Sequence, residues 1–201
     1  MDFSTLKKEV EARMNNPKKF THVLGVTDEC ERLAGIFKMN EYDKRSLMAA
    51  GLMHDITKTL SETEQLNLAN ELGATVDKET KRCPKTFHQL TGAYLAKKLY
   101  PDYTDERVFG AIRWHTTGRE DMTLFEKLVY LADYVEINRQ YSECKLLREH
   151  LYSALEEKGA DKYEALDRIM LEALNITLSL MIQDGEYIHP ATVSARNSLL
   201  K

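Results

Sequence analysis

His54 and Asp55 stand side by side in the run Ala49-Ala50-Gly51-Leu52-Met53-His54-Asp55-Ile56-Thr57-Lys58, which otherwise reads as buried helix. An imidazole and a carboxylate in an apolar setting must be paired, hydrogen-bonded or metal-bound, because burying them alone is costly. On a helix, residues four apart share a face, so His54 and Lys58 would lie together with Asp55 between them. A nitrogen ligand, an oxygen ligand and a cation would then converge on one spot, which suits a metal-bound phosphate ester or anhydride. The dipeptide by itself is also the ordinary end of a helix with Asp55 facing water. It gains weight from His22, His88, His115 and Asp133, each in an apolar or small-residue context suited to the inner face of a helix.

Helices must position these groups. Glycine (9) and proline (4) are scarce, which leaves little material for β-turns. The spacing predicts a helix over 3–14 and a second from about Thr21 to Phe37, with Val23, Val26, Cys30, Leu33 and Phe37 on one stripe. A third is expected over about Asp43–Ile56, where Leu47, Ala50, Gly51 and His54 line one face and the small residues admit another backbone. Ser61-Glu62-Thr63-Glu64 is a capping box that opens a helix closed by Gly73. Residues 74–86 read as a polar connection. Helices follow at about 87–99, 105–115, 122–136, 142–157 and 161–182, and the tail from Gly185 to Thr192 reads as non-helical. The expectation is an all-α protein, one domain over residues 1–201, with a core at about 18–140 and C-terminal helices and tail at 141–201.

Composition narrows the function classes. The 201 residues carry 28 basic and 32 acidic side chains, with no basic tail or Lys/Arg block, so nucleic acid is not expected as a partner. A small polyphosphate needs only a local positive site. The first ten residues are charged throughout, without the apolar core of a signal peptide, and no run approaches the roughly 18 apolar residues of a bilayer span. Cys30, Cys83 and Cys144 are odd in number and lack Cys-x-x-Cys spacing, as reduced thiols would be. A cytoplasmic protein without membrane contact is expected. The largely apolar C-terminal helix leaves room for a homodimer. His150 sits in a charged run and reads as surface.

The ordered set His22, His54-Asp55, His88, His115 and Asp133 matches the ligands of an HD-domain phosphohydrolase. Three stretches narrow it: His88-Gln89-Leu90-Thr91-Gly92-Ala93, Arg113-Trp114-His115-Thr116-Thr117-Gly118, and Leu131-Ala132-Asp133-Tyr134-Val135-Glu136-Ile137-Asn138-Arg139. With the tail Ile188-His189-Pro190-Ala191-Thr192 and Ala195-Arg196-Asn197, the chain closely resembles the bacterial YqeK-type family over about residues 18–197. That family comprises HD-domain helical bundles, with the metal site between central helices, that cleave diadenosine tetraphosphate symmetrically to ADP. Family members often carry Glu-Pro before the link to the arginine, whereas Ile137 follows Glu136 here.

The resemblance implies His22, His54, Asp55 and Asp133 as metal ligands, with His88 and His115 either completing a second site or donating hydrogen bonds to phosphate. It suggests iron, as one or two ions. Nitrogen and oxygen ligands alone do not choose among iron, manganese, cobalt and zinc. Catalysis would fall to Asp55, Lys58, His88 and His115, through attack of metal-activated water on an inner phosphate. Lys58 and Arg139 would neutralise the charge that develops on the departing ADP. Lys58, His88, His115, Thr116 and Arg139 would contact the substrate, and Tyr187, His189 and Thr192 would form an adenine-side wall. The alternatives are another nucleotide phosphohydrolase, such as a nucleotidase, and a metal-dependent nucleotide sensor.

Overall fold

Side-chain caps decide where most of the helices begin. In a computed structural model that describes residues 2–200, Asn16, Asn40, Ser61, Asp105, Thr123 and Asp161 each accept a backbone N–H from the first turn of the helix they precede. This satisfies donors that have no partner within the helix. The helices are α1 (Phe3–Met14), α2 (Pro17–Ile36), α3 (Glu41–Met53), α4 (Glu62–Glu71), α5 (Lys78–Lys81), α6 (Phe87–Leu99), α7 (Glu106–Trp114), α8 (Leu124–Val135), α9 (Ser142–Glu156), α10 (Lys162–Gln183) and α11 (Pro190–Ser198). Short 3-10 turns occupy Pro84–Thr86 and Pro101–Tyr103, and no strand is present among the described residues. The protein is all-α, as its sequence predicts.

Four local expectations are corrected. Helix α2 begins at Pro17, not near Thr21, because Asn16 caps it and proline fits the first helical position. The polar connection at 74–86 contains the single-turn helix α5, capped by Asp77. The tail becomes helical at Pro190, where His189 accepts from Ala191 N and proline again opens the helix.

The fourth correction touches the site. Helix α3 stops at Met53, and residues 54–59 form a run of tight turns. Their bonds are of the i to i−3 kind, Ile56 N to Met53 O at 3.1 Å and Lys58 N to Asp55 O at 2.9 Å. The His54 ring turns back onto the Gly51 carbonyl, with Nδ1 2.7 Å from its oxygen. His54, Asp55 and Lys58 therefore converge on a turn and not on a helix face.

Helix α2 packs on α3 and α8, α7 bridges α3, α6 and α8, and α9 and α10 pair along α8. The α2–α3 contact depends on a missing side chain, since a Cβ at Gly51 would lie 2.8 Å from Cys30 Sγ. One contiguous apolar core runs from Leu6 on α1 to Ala195 on α11. All three cysteines are free and buried. No helix among the described residues is long and apolar enough to cross a membrane.

Candidate metal centre

Inside this apolar frame the buried His54, Asp55, His88 and His115 meet the half-buried His22 and Asp133 at one place. Helix α2 supplies His22, the turn after α3 supplies His54 and Asp55, α6 supplies His88, the end of α7 supplies His115, and α8 supplies Asp133. Three overlapping sets, His22–His54–Asp55, His54–His115–Asp133 and Asp55–His88–His115, each bring one donor atom per residue within 4.8 Å of the others. Asp133 Oδ1 lies 3.0 Å from His22 Nε2 and 3.9 Å from His54 Nε2. Asp55 reaches the other histidines, with Oδ1 3.3 Å from His88 Nε2 and 3.5 Å from His115 Nε2.

The backbone fixes which nitrogen each ring presents. His54 and His115 both follow directly on a helix end, and both turn Nδ1 onto the carbonyl three residues back, Gly51 O at 2.7 Å and Ile112 O at 2.8 Å. A carbonyl can only accept, so Nδ1 carries the hydrogen and Nε2 keeps its lone pair. His22 Nδ1 instead meets Glu136 Oε1 at 3.0 Å. Glu136 is buried and also accepts from Asn138 N at 2.6 Å. A carboxylate or carbonyl behind these three imidazoles is the outer-shell arrangement typical of metal-ligating histidines.

The donor set fits a bound metal ion on two further observations. His54 Nε2 and Asp55 Oδ1 are buried with no hydrogen-bond partner, a costly state for a protein that leaves them so. His88 Nε2 and His115 Nε2 face each other at 3.1 Å. The single lone pair of His88 Nε2 accepts from Lys58 Nζ at 2.7 Å and the His115 Nδ1 hydrogen goes to Ile112 O, so no hydrogen lies between the two Nε2 atoms and the His115 lone pair is left free for a cation. Nitrogen and carboxylate donors suit first-row transition metals.

Burial lowers the His54 imidazole to about 4, more than the Asp55 and Asp133 charges offset. Burial, then the Lys58 charge, also pushes His88 well below the usual imidazole range. Burial would lower His22 too, but its bonds to Asp133 and Glu136 raise it to about 9. Both aspartates are held well below the usual carboxylate range despite burial, Asp55 chiefly by His54 and Lys58 and Asp133 chiefly by Arg139.

The two cations border the same cluster. Lys58 Nζ lies 3.5 Å from Asp55 Oδ1. Arg139 donates through Nη2 to Asp133 Oδ1 at 2.5 Å and through Nε to the Asp133 carbonyl at 2.6 Å. Thr116 joins them, its Oγ1 3.1 Å from His88 Nε2. A cavity of about 500 Å³ opens beside Lys58, His115, Thr116, Asp133 and Arg139, and is walled by Tyr130, Tyr134, Tyr141, Thr177, Leu180 and Met181. That volume lies in the ordinary range for small-ligand sites.

Among the residues expected at the site, His22, His54, Asp55, Lys58, His88, His115, Thr116, Asp133 and Arg139 are brought together. The tail residues lie elsewhere. Tyr187 bonds Glu79 and stacks under Arg82, His189 Nε2 is 3.5 Å from Thr80 Oγ1, and Thr192 is buried on α11. None of the three lines the cavity. His150 is at the surface, paired with Glu172. The sequence assigns no role to Glu136, Gln89 or the cavity tyrosines Tyr130, Tyr134 and Tyr141. Glu136 was within reach of it, since it stands three residues after Asp133. Gln89 follows His88 and accepts Thr116 N and Thr117 N at 3.1 and 3.2 Å, fixing the loop behind His115.

The HD domain family model matches residues 20–138, the segment that carries every member of the cluster. This chain is an HD-domain hydrolase. It is 30% identical over 182 residues to the symmetrical bis(5'-nucleosyl)-tetraphosphatase of Halalkalibacterium halodurans, covering 90% of this chain and 89% of that one. It is 27% identical over 184 residues to the Bacillus subtilis protein of the same name, covering 90% and 89%. The crystal structure of a predicted HD superfamily hydrolase involved in NAD metabolism from Clostridium acetobutylicum superposes with a TM-score of 0.84 at 32% identity, over 100% of this chain and 97% of that one.

Proposed function

We propose that this HD-domain hydrolase cleaves diadenosine tetraphosphate and related dinucleoside polyphosphates symmetrically, giving ADP. The observation that carries the reading is a metal-fitting cluster flanked by Lys58 and Arg139 and opening into a tyrosine-walled cavity. Relatives that match nine-tenths of the chain and bear the tetraphosphatase name support it.

His22, His54, Asp55 and Asp133 would hold the metal, with His88 and His115 at a second position or on the phosphate. Iron, as one or two ions, follows from the family resemblance, and the donor set also accepts manganese, cobalt or zinc. Such an ion supplies Lewis acidity at a phosphoryl oxygen and makes a bound water far more acidic. The protein's own groups do the rest. Lys58 and Arg139 place two cations where an inner phosphate would lie, and Arg139 has donors to spare beyond the two on Asp133. His88 and Thr116 offer hydrogen-bonding atoms on the same side. The tyrosine-walled cavity takes a nucleoside, with Glu143, Asp184 and Glu186 at its border as acceptors for hydroxyl or amino groups. In the reaction, a bridging P–O bond breaks, the water oxygen joins one ADP and the bridging oxygen leaves with the other.

Product analysis after incubating iron-loaded protein with diadenosine tetraphosphate tests this, with Asp55→Ala as control. ADP as sole nucleotide product, lost in the control, is expected. AMP plus ATP would place the cut on the wrong anhydride. Orthophosphate released from mononucleotides alone would make it a nucleotidase. Binding without turnover would make it a sensor.

A further inference from the structure

Two cavities reach the cluster. Adjoining the tyrosine-walled one is a second of about 790 Å³, and Lys58, Arg139 and Tyr141 line both. The second is bordered in addition by Lys18, Lys19, Asn138 and Gln140, with Asp55 and His22 at its base. The electrical contrast is sharp. The first cavity adds four carboxylates to the two shared cations; Asp133 is engaged by Arg139 and His22 and Glu186 by Lys85, and Glu143 and Asp184 come on top of these. The second adds two lysines, and its carboxylates, Asp55 and Glu136, are already engaged by the cluster and by His22. In a chain of net charge −4, this is a local positive basin.

The lysines stand where helix physics disfavours them. Lys18 and Lys19 occupy the first turn of α2, which contains no acidic residue, although the helix dipole favours anions there. Two cations added to the positive end of a helix, and facing a cavity, mark a place arranged for an anion. Lys19 Nζ donates to Lys58 O at 3.0 Å, so this basic edge is tied to the catalytic turn. Lys18 is exposed. Aside from His22, the only ring on this side is the shared Tyr141, which is 70% exposed.

We propose that this second cavity holds the other half of the substrate by its phosphates, through Lys18 and Lys19, and leaves its base unrecognised. The inference rests on the dinucleoside polyphosphate reading above. A polyphosphate chain whose first nucleoside sits among the tyrosines passes Lys58 and Arg139 at the cluster and continues into the basic basin. The second nucleoside is then dispensable. Adenosine 5'-tetraphosphate plus water gives ADP plus pyrophosphate, by rupture of the bond between its second and third phosphates, with the water oxygen ending on one product and the bridging oxygen on the other.

The test compares metal-loaded wild type with Lys18→Glu and Lys18→Arg on diadenosine tetraphosphate and adenosine 5'-tetraphosphate, with calorimetric binding of ADP alongside. Both substrates are expected to be cut by wild type. Lys18→Glu should raise KM about tenfold for both and change kcat and the ADP affinity by less than about twofold, with Lys18→Arg restoring KM. Unchanged KM in Lys18→Glu, or cleavage of the dinucleotide but not of the mononucleoside tetraphosphate, would overturn the proposal. If wild type makes no ADP from either, the substrate reading fails, and inorganic tripolyphosphate then reads the basin directly. Weaker tripolyphosphate binding by Lys18→Glu sustains a phosphate site, and equal binding sinks it.

Discussion

His22 and His54 approach the same carboxylate, Asp133, yet the protein holds them in opposite charge states. His54 is wholly buried, its Nδ1 hydrogen is spent on a neutral carbonyl, and its imidazole is lowered to about 4. His22 is about one-fifth exposed, lies between Asp133 and Glu136 at 3.0 Å each, and is raised to about 9. His54 is preset with its lone pair free, and His22 carries a proton that a metal held there would have to displace. On the proposed metal reading, binding would release a proton and weaken as pH falls.

Asp133→Ala is the largest test of that contrast, because it removes the carboxylate both rings share. The His22 imidazole should fall toward its ordinary value near 6.5, read by NMR titration of the metal-free protein. Activity of the metal-loaded enzyme should drop by at least about a thousandfold, as for loss of a principal electrostatic element. An unchanged rate would mean that Asp133 is only a salt-bridge partner of Arg139.

The pH dependence comes next. Apparent metal affinity should fall about tenfold for each pH unit below 9, as one proton on His22 competes with the metal. The metal-free fold should show the complementary trend. A group raised on folding stabilises fully below its unfolded value of 6.5, and that contribution is lost as pH rises through about 9. Thermal unfolding of chelated protein at a series of pH values reads this directly. A flat profile between pH 6.5 and 9 would put the His22 proton elsewhere.

Glu136→Gln should sharpen the comparison by making His22 more like His54. Its second carboxylate is gone, so the midpoint of metal binding should shift to lower pH. Affinity well above that midpoint should fall about 10- to 100-fold, the usual effect of removing an outer-shell partner. Gly25→Ala acts on the same residue from behind, since a Cβ there would lie 2.2 Å from Glu136 Oε2. A smaller loss of the same kind, about tenfold or less, is expected, because a side chain can swing away from a new methyl group.

Much of this site was legible in the sequence, for a physical reason. Six ligand-type residues in apolar contexts have few alternatives to meeting one another, and the family resemblance supplied their grouping. Most of the helices were legible from apolar stripes and one capping box, whereas α5, the start of α2, the end of α3 and the start of α11 were not. Three features of the site were not legible either. The turn at His54–Thr59 depends on a ring reaching back to Gly51 O, a side-chain choice that periodicity does not encode. The pairing of His22 with Glu136 joins residues 114 positions apart, and only the packing of α2 on α8 creates it. The tyrosine wall was missed because Tyr130, Tyr134 and Tyr141, though close in sequence, line a cavity only where α10 brings Thr177, Leu180 and Met181 to it.

The tail gives the smallest effect and the clearest separation of structure from catalysis. Tyr187 lies over α5, bonded to Glu79 and stacked on Arg82 with 4.1 Å between the guanidinium carbon and the ring centre. Its hydroxyl is tied to a helix that carries no member of the cluster. Tyr187→Phe keeps the stack and deletes one hydrogen bond, so the melting temperature should fall by only about 2–4 °C. KM and kcat should stay within about twofold of wild type. The sequence reading expected Tyr187 on the adenine side, and a KM raised tenfold at an unchanged melting temperature would return it there. That outcome would require the tail to leave α5 when substrate binds, breaking the Glu79 bond and the contact of His189 with Thr80 together.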